Sequence, residues 1–147
     1  MASRAISDLV PSAQERLLKW QTACKKMGID VLVYCTFRSA AEQDDLYKIG
    51  RTVVGTNPTP RRPFGETVTN AHGGDSFHQW RCAWDAVPLV FGKPAWGRKD
   101  LYALMGTIAK DFGIEWAGDW VQFRETAHFQ YTGGLKLADL KSGKEVK

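Results

Sequence analysis

The chain has 147 residues, enough for one domain with a real core. Hydrophobic residues make up 44% and aromatics 12%, which excludes a disordered chain, and no apolar run approaches the roughly 20 residues of a membrane span. The net charge of +4 and pI of about 9.0 favour an anionic partner without choosing among nucleic acid, anionic lipid and an acidic wall polymer.

The first residues, Met-Ala-Ser-Arg-Ala-Ile-Ser-Asp, lack the apolar core of a signal peptide. The expectation is synthesis in the cytoplasm and no stable membrane insertion. Val10, Ala13, Leu17, Trp20, Cys24 and Met27 recur at steps of three and four. They predict an amphipathic helix over about Pro11–Met27, with Pro11 in its first turn and Gly28 just past its end. Ile29–Phe37 is rich in β-branched and aromatic residues and reads as a strand. Ser39 and Glu42 have the spacing of a capping box, so a short helix should run from Ala40 to about Ile49. Arg38 then lies between a strand end and a helix N-terminus, where the macrodipole disfavours a cation. Its place makes more sense if an anion or a developing negative charge also comes there.

The stretch from Arg51 to Asp75 holds Pro58, Pro60, Pro63 and several glycines, and reads as a long surface loop of the kind that is often functional. Val68-Thr69 is a candidate short strand within it, and His72 reads as a loop histidine. Phe91–Lys99 is a second loop. Leu101, Leu104, Met105, Ile108 and Phe112 mark another amphipathic helix ended by Gly113. Ile114–Trp116 is predicted as a strand, Ala117–Trp120 as a turn, His128–Tyr131 as the last strand, and Leu135–Leu140 as a short terminal helix. One domain covers 1–147, with its core at about 9–133 and a polar, lysine-rich tail. Cys24, Cys35 and Cys82 form no CxxC pair and are expected as buried free thiols.

The stretch that organises the chain is Ser76–Pro88. Asp85 sits in an otherwise apolar run that reads as a buried strand, where a carboxylate needs a cation, a hydrogen-bond network or a metal. His78 stands seven residues upstream. A regular strand would point the two side chains to opposite faces, and a regular helix would set them about 10 Å apart. Zinc ligands lie about 2.0–2.2 Å from the metal. The segment is therefore expected to turn around Ser76–Gln79 and to become a strand from about Trp80. Arg81, Ala83 and Asp85 would then share one face. A shared metal and a buried His–Asp pair that only orders the core are both open at this point.

Glu125 and His128 add a second imidazole and a spare carboxylate. Two histidines, one ligating carboxylate and a free acid are the inventory of a catalytic zinc site, with three protein ligands and an open position. The spare acid suits the proton transfers of hydrolysis, and Arg38 suits the oxyanion. A fourth protein ligand would instead close a structural site, as in a non-catalytic binding module. No nucleic-acid motif accompanies the basic charge.

Ser76-x-His78-x6-Asp85, with Ala83 two before the aspartate, resembles the Ser-x-His-x-x-Gly-x-Ala-x-Asp signature of the zinc D-Ala-D-Ala carboxypeptidase and dipeptidase family. That family includes the L-alanyl-D-glutamate peptidase endolysins of bacteriophages. The likeness extends to Thr36-Phe37-Arg38-Ser39, Glu42-Gln43, Leu46-Tyr47, Glu115-Trp116-Ala117-Gly118-Asp119-Trp120 and Glu125-x-x-His128. It implies an α+β fold: a small antiparallel sheet backed by helices, with the zinc site on the sheet. It implies one zinc held by His78, Asp85 and His128, with Glu125 as general base and Arg38 polarising the substrate carbonyl. It implies a peptidase of the peptidoglycan peptide stem, cutting between L-Ala and D-Glu, with D-Ala-D-Ala carboxypeptidase activity as the alternative. Ser76, Gln43 and Trp120 are further candidates for substrate binding. The phage likeness implies cell lysis by a monomer that waits in the cytoplasm for a holin-like partner to open the membrane, and then acts on the periplasmic wall. Two departures stand out. Glu125-Thr126-Ala127-His128 replaces the endolysins' commoner Asp-x-Pro-His. Arg81 stands where the signature has glycine, and on the strand reading it would face the site, either crowding or charging it or binding a substrate carboxylate.

Overall fold

The computed structural model describes residues 2–121 and 124–147. Helix α1, Pro11–Lys26, buries Ala13, Leu17, Trp20 and Cys24 on the predicted stripe. Met27, expected to close that stripe, lies beyond the helix end and is 61% exposed. Strand β1, Asp30–Cys35, and helix α2, Ala40–Lys48, follow. The capping box at the start of α2 is made in both directions, Glu42 N to Ser39 Oγ at 3.1 Å and Ser39 N to Glu42 Oε1 at 2.9 Å. The remaining elements are β2, Ala83–Val90; β3, Lys93–Pro94; α3, Lys99–Lys110; β4, Glu115–Trp116; β5, His128–Gln130; and α4, Leu137–Lys141. The strands form an antiparallel sheet in the order β1-β2-β5-β4, with β3 paired to the far end of β2. Among the described residues, no helix is long and apolar enough to cross a membrane.

Four local expectations are corrected. Phe77–Trp80 is a 3-10 turn, and the strand begins at Ala83 rather than near Trp80. Arg81 closes that turn in the left-handed region, φ 59°, so it belongs to no strand face. Val68-Thr69 is not a strand. The loop after β2 is in part a hairpin, with Phe91 and Gly92 both at positive φ and β3 returning against β2.

The sheet has two unlike faces. Residues directly opposite one another on antiparallel strands share a face. One face carries the Trp84–Phe129–Trp116 row, set by the pairs Trp84↔Phe129 and Trp116↔Phe129. The three rings lie nearly parallel, with centroids 6.5 Å apart on either side of Phe129. Trp20 of α1 packs onto Phe129 at 4.6 Å and donates its indole N–H to Met105 O of α3 at 2.9 Å. Leu17, Met105 and Ile108 complete this core. The opposite face carries Asp85 across from His128, and Gln130 across from Ala83 and Glu115. On β1 the register shifts between Val33, which pairs with Ala86, and Cys35, which pairs with Asp85. The bulge at Tyr34 moves Cys35 onto the face of Asp85 and re-aims Thr36–Arg38.

Both chain ends are tied to this frame, beyond the 9–133 core expected from the sequence. Ser3 N bonds Phe37 O, and Thr36 N bonds Ser3 O, each at 2.8 Å. Leu140 and Val146 bury against Cys82, behind the Phe77–Trp80 turn. Trp116 fits a slot between two glycines. A Cβ on Gly106 or on Gly118 would come within 2.1 Å of its indole carbons.

Candidate active site

A cleft of about 470 Å³ opens over the polar face of the sheet. His78, Asp85, His128, Glu125, Arg38, Gln43, Ser76 and Trp120 all line it. His78 Nε2 lies 3.3 Å and His128 Nδ1 3.6 Å from the same oxygen, Asp85 Oδ1. Glu125 Oε2 lies 3.8 Å from His128 Nδ1.

The other nitrogen of each ring decides what these contacts mean. His78 Nδ1 is 2.7 Å from the Thr36 carbonyl, which only accepts, so Nδ1 carries the hydrogen and donates it. His128 Nε2 is 2.8 Å from Gln130 Oε1, so that nitrogen also donates outward. Each neutral ring therefore turns a lone pair towards the Asp85 carboxylate. Two ring lone pairs facing one carboxylate oxygen repel it unless a cation sits among them, and the outward N–H bonds are those that orient histidine ligands around a metal. The donor set of two imidazoles and one carboxylate suits zinc.

Electrostatics agree with this picture. Burial pushes the Asp85 carboxyl up, but hydrogen bonds from His128 and His78, together with their charge, outweigh it and hold the group well below the usual carboxylate range. Burial disfavours the charged form of His128, yet the bond and charge of Asp85, then Gln130 and Glu125, keep its pKa above the ordinary value. Without a metal, a proton on His128 takes the cation's place. The thiol of Cys35 also lies within 4.8 Å of ligand atoms on His78 and Asp85. It approaches His78 at Nδ1, 3.9 Å away, the nitrogen already committed to Thr36. Burial, only partly offset by Arg38, raises its pKa, so it stays a neutral thiol below the cluster. Cys24, Cys35 and Cys82 are all buried and free.

Arg38 is held at several points. Its Nη2 donates to Asp85 Oδ2 at 3.3 Å and its Nη1 to Gln43 Oε1 at 2.9 Å, while its Nε is buried without a partner. Gln43, fully buried, gives its N–H groups to Thr69 Oγ1 and Ala71 O. It therefore fixes the arginine and ties the long loop to α2. Gln79, which nothing in the sequence singles out, donates to Arg38 O at 3.1 Å. Ser76 caps the turn that carries His78, accepting from His78 N at 3.3 Å. Trp120 lies 5.7 Å from the His128 ring and walls the cleft.

One histidine and one arginine stand apart from the cluster. His72 stacks on Tyr47 at 3.7 Å, opposite the Arg51 guanidinium at 3.8 Å, and takes no part in it. Arg81 does not line the cleft. It lies over the Phe37 ring at 3.9 Å and donates to Asp8 O at 3.0 Å, against the expectation that it faces Asp85. The left-handed backbone at this position is the reason glycine suits it in the related signature. In the sequence Glu115 and Thr36 stand only as members of the resembling motifs, without a role, and Gln130 is missed; its signal is strand alternation, which sets it on the face of His128.

A family model described as D-alanyl-D-alanine carboxypeptidase, peptidase M15, matches residues 69–131. The peptidoglycan L-alanyl-D-glutamate endopeptidase CwlK of Bacillus subtilis (strain 168) is 35% identical over 134 residues, covering 84% of this chain and 74% of that protein. The chain belongs to the M15 peptidase family. The L-alanyl-D-glutamate peptidase of Listeria phage A118 is 30% identical over 129 residues, 86% of this chain but 38% of that longer protein. Among solved structures, the Serratia marcescens L-Ala D-Glu endopeptidase ChiX shares the fold with a TM-score of 0.60 at 19% identity, covering 90% of each chain. The vancomycin resistance D,D-pentapeptidase VanY, solved with Zn(II), gives 0.65 at 15% identity, over 91% of this chain and 78% of that one.

Proposed function

We propose that this chain is a zinc peptidase of the peptidoglycan peptide stem, with one zinc held by His78, Asp85 and His128, and that it hydrolyses the L-alanyl–D-glutamate bond. The observation that carries the reading is the convergence of His78 Nε2 and His128 Nδ1 on Asp85 Oδ1, at 3.3 and 3.6 Å, at the floor of an open cleft. The activity for which the 35% and 30% identical relatives are named supplies the bond.

Bound zinc supplies a Lewis acid for the scissile carbonyl and acidifies a water towards pKa about 7. Glu125, half exposed and 3.8 Å from His128, takes the attacking water's proton and delivers it to the leaving amine as the C–N bond breaks. Arg38, clamped by Gln43 and Asp85, sets a fixed positive charge beside the carbonyl oxygen as that oxygen gains charge. Trp120 and the Thr69–Phe77 segment confine the peptide between them.

As a lytic enzyme of phage type the chain acts as a monomer. It waits in the cytoplasm until a holin-like partner opens the membrane, and its basic surface then aids approach to the anionic wall. The second reading, a D-alanyl-D-alanine carboxypeptidase, is favoured by the description of the matching family model and by the likeness to VanY. Digestion of purified muropeptides followed by mass spectrometry separates the two. Release of the stem after L-Ala is expected; loss of terminal D-Ala alone would overturn the endopeptidase assignment. Clearing of outer-membrane-stripped cells tests the lytic role.

A further inference from the structure

His128 meets the cluster through Nδ1 only because its Nε2 carries the hydrogen, and that in turn requires an acceptor beside Nε2. The acceptor is an amide, and an amide can face either way. Rotated by half a turn, Gln130 would offer N–H groups to His128. Nε2 would then have to accept, and the hydrogen would move to Nδ1, where it blocks a metal. Something must fix the amide. Gln130 is 2% exposed, and its Nε2 donates to Glu115 Oε2 at 3.0 Å. A carboxylate only accepts, so it selects the NH2 end of Gln130 and leaves Oε1 for His128. The second oxygen of Glu115 accepts from Thr132 Oγ1 at 3.2 Å, which anchors the carboxylate. The register places the parts, since Glu115 pairs with Gln130 across β4–β5, and His128 is two residues from Gln130 on the same face.

We propose that Glu115 is a positioning residue for the metal site: acting through Gln130, it sets the tautomer of His128 and so the ligating nitrogen. The inference rests on the zinc reading above and gives a role to the Glu115-Trp116 motif, which the chemistry left unused.

The test is zinc affinity, measured by competition with a chelating dye, for wild type, Glu115→Gln, Gln130→Leu and the swapped double variant Glu115→Gln/Gln130→Glu. Glu115→Gln removes the rule that fixes the amide, and Gln130→Leu removes the acceptor. Each should weaken zinc binding by about 10–100-fold, the usual effect of losing a partner behind a metal ligand. The swapped pair restores an obligate acceptor beside His128 and a donor beside that acceptor, so its affinity should return to near wild type. Melting of zinc-free Glu115→Gln should differ little from wild type, because Glu115 lies exposed on an edge strand. Single variants that bind zinc as wild type does would overturn the proposal. So would a swap that fails to restore affinity lost in Glu115→Gln, since that loss would then be packing. A wild type that binds no zinc at all would instead sink the metal reading itself.

Discussion

The two faces of one small sheet obey different rules. On the helix side Trp84, Phe129 and Trp116 make an aromatic row whose polar contact is the Trp116 indole N–H on Thr126 O, the Trp84 N–H being buried without a partner. On the cleft side the same strands carry Asp85, His128, Gln130 and Glu115, each held by a directed polar contact. Adjacent residues on β5 serve opposite purposes, His128 the cleft and Phe129 the core. The lesson is that chemistry here is positioned by alternation. The aromatic face supplies rigidity by area, and the polar face uses that rigidity to aim lone pairs at one point.

Removing the metal should separate the faces most sharply. Chelation is expected to lower activity by about 10³ or more, the several kcal/mol of charge stabilisation a metal supplies, and added Zn²⁺ should restore it. The near-UV signal of the aromatic row should persist throughout, and its collapse would mean the two faces are not independent. Glu125→Gln comes next. It should cost about 10²–10⁴ in kcat with zinc content unchanged, because Glu125 approaches His128 only at 3.8 Å and belongs to the proton path. Equal activity would remove it from that role. Phe129→Ala attacks the other face and should lower stability by about 3–5 kcal/mol through the cavity it leaves, read as a fall in Tm. Activity per folded molecule should change far less.

Two smaller effects sharpen the boundary between support and chemistry. Gln43→Leu strips Arg38 of an acceptor and Ala71 O of a donor. Buried groups left unpaired in this way are worth about 1–3 kcal/mol. The loss should appear as about tenfold in kcat/KM, because Arg38 loosens while the metal cluster stays intact. Arg81→Gly is expected to be nearly silent. Relief of a left-handed backbone, about 1–2 kcal/mol, offsets removal of the guanidinium from the Phe37 ring and from Asp8 O, and kcat/KM should stay at wild type. A large kinetic effect there would revive the idea that Arg81 reaches substrate.

Much of this plan was legible in the chain. Helix α1 followed from spacing, the capping box of α2 from Ser39 and Glu42, and the turn carrying His78 from the impossibility of joining His78 and Asp85 within one regular element. Arg81 falls outside the strand pattern because its backbone is left-handed, and side-chain chemistry does not announce φ. The bulge at Tyr34 was invisible for a similar reason: it is a register slip fixed by the partner strand, not by local sequence. Gln79 and Gln130 escape, and Glu115 stays a motif member without a role, because their importance lies in what they bond. The tail's composition is that of a solvated lysine-rich end, and only the fold shows Leu140 and Val146 packed behind the site.

The glycine slot around Trp116 has a consequence for how this protein can change over generations. Gly106 on α3, Gly118 in the following turn and the indole between them occupy one shared space. None of the three can be replaced alone without a collision or a void, so a lineage must alter them together or keep them all. Trp116 is also the neighbour of Glu115, so freedom to drift at the edge strand is limited by a fit on the far side of the sheet. Variation at these three positions should therefore be inherited as a unit, and a relative that carries a smaller ring at 116 is the place to look for side chains at 106 or 118.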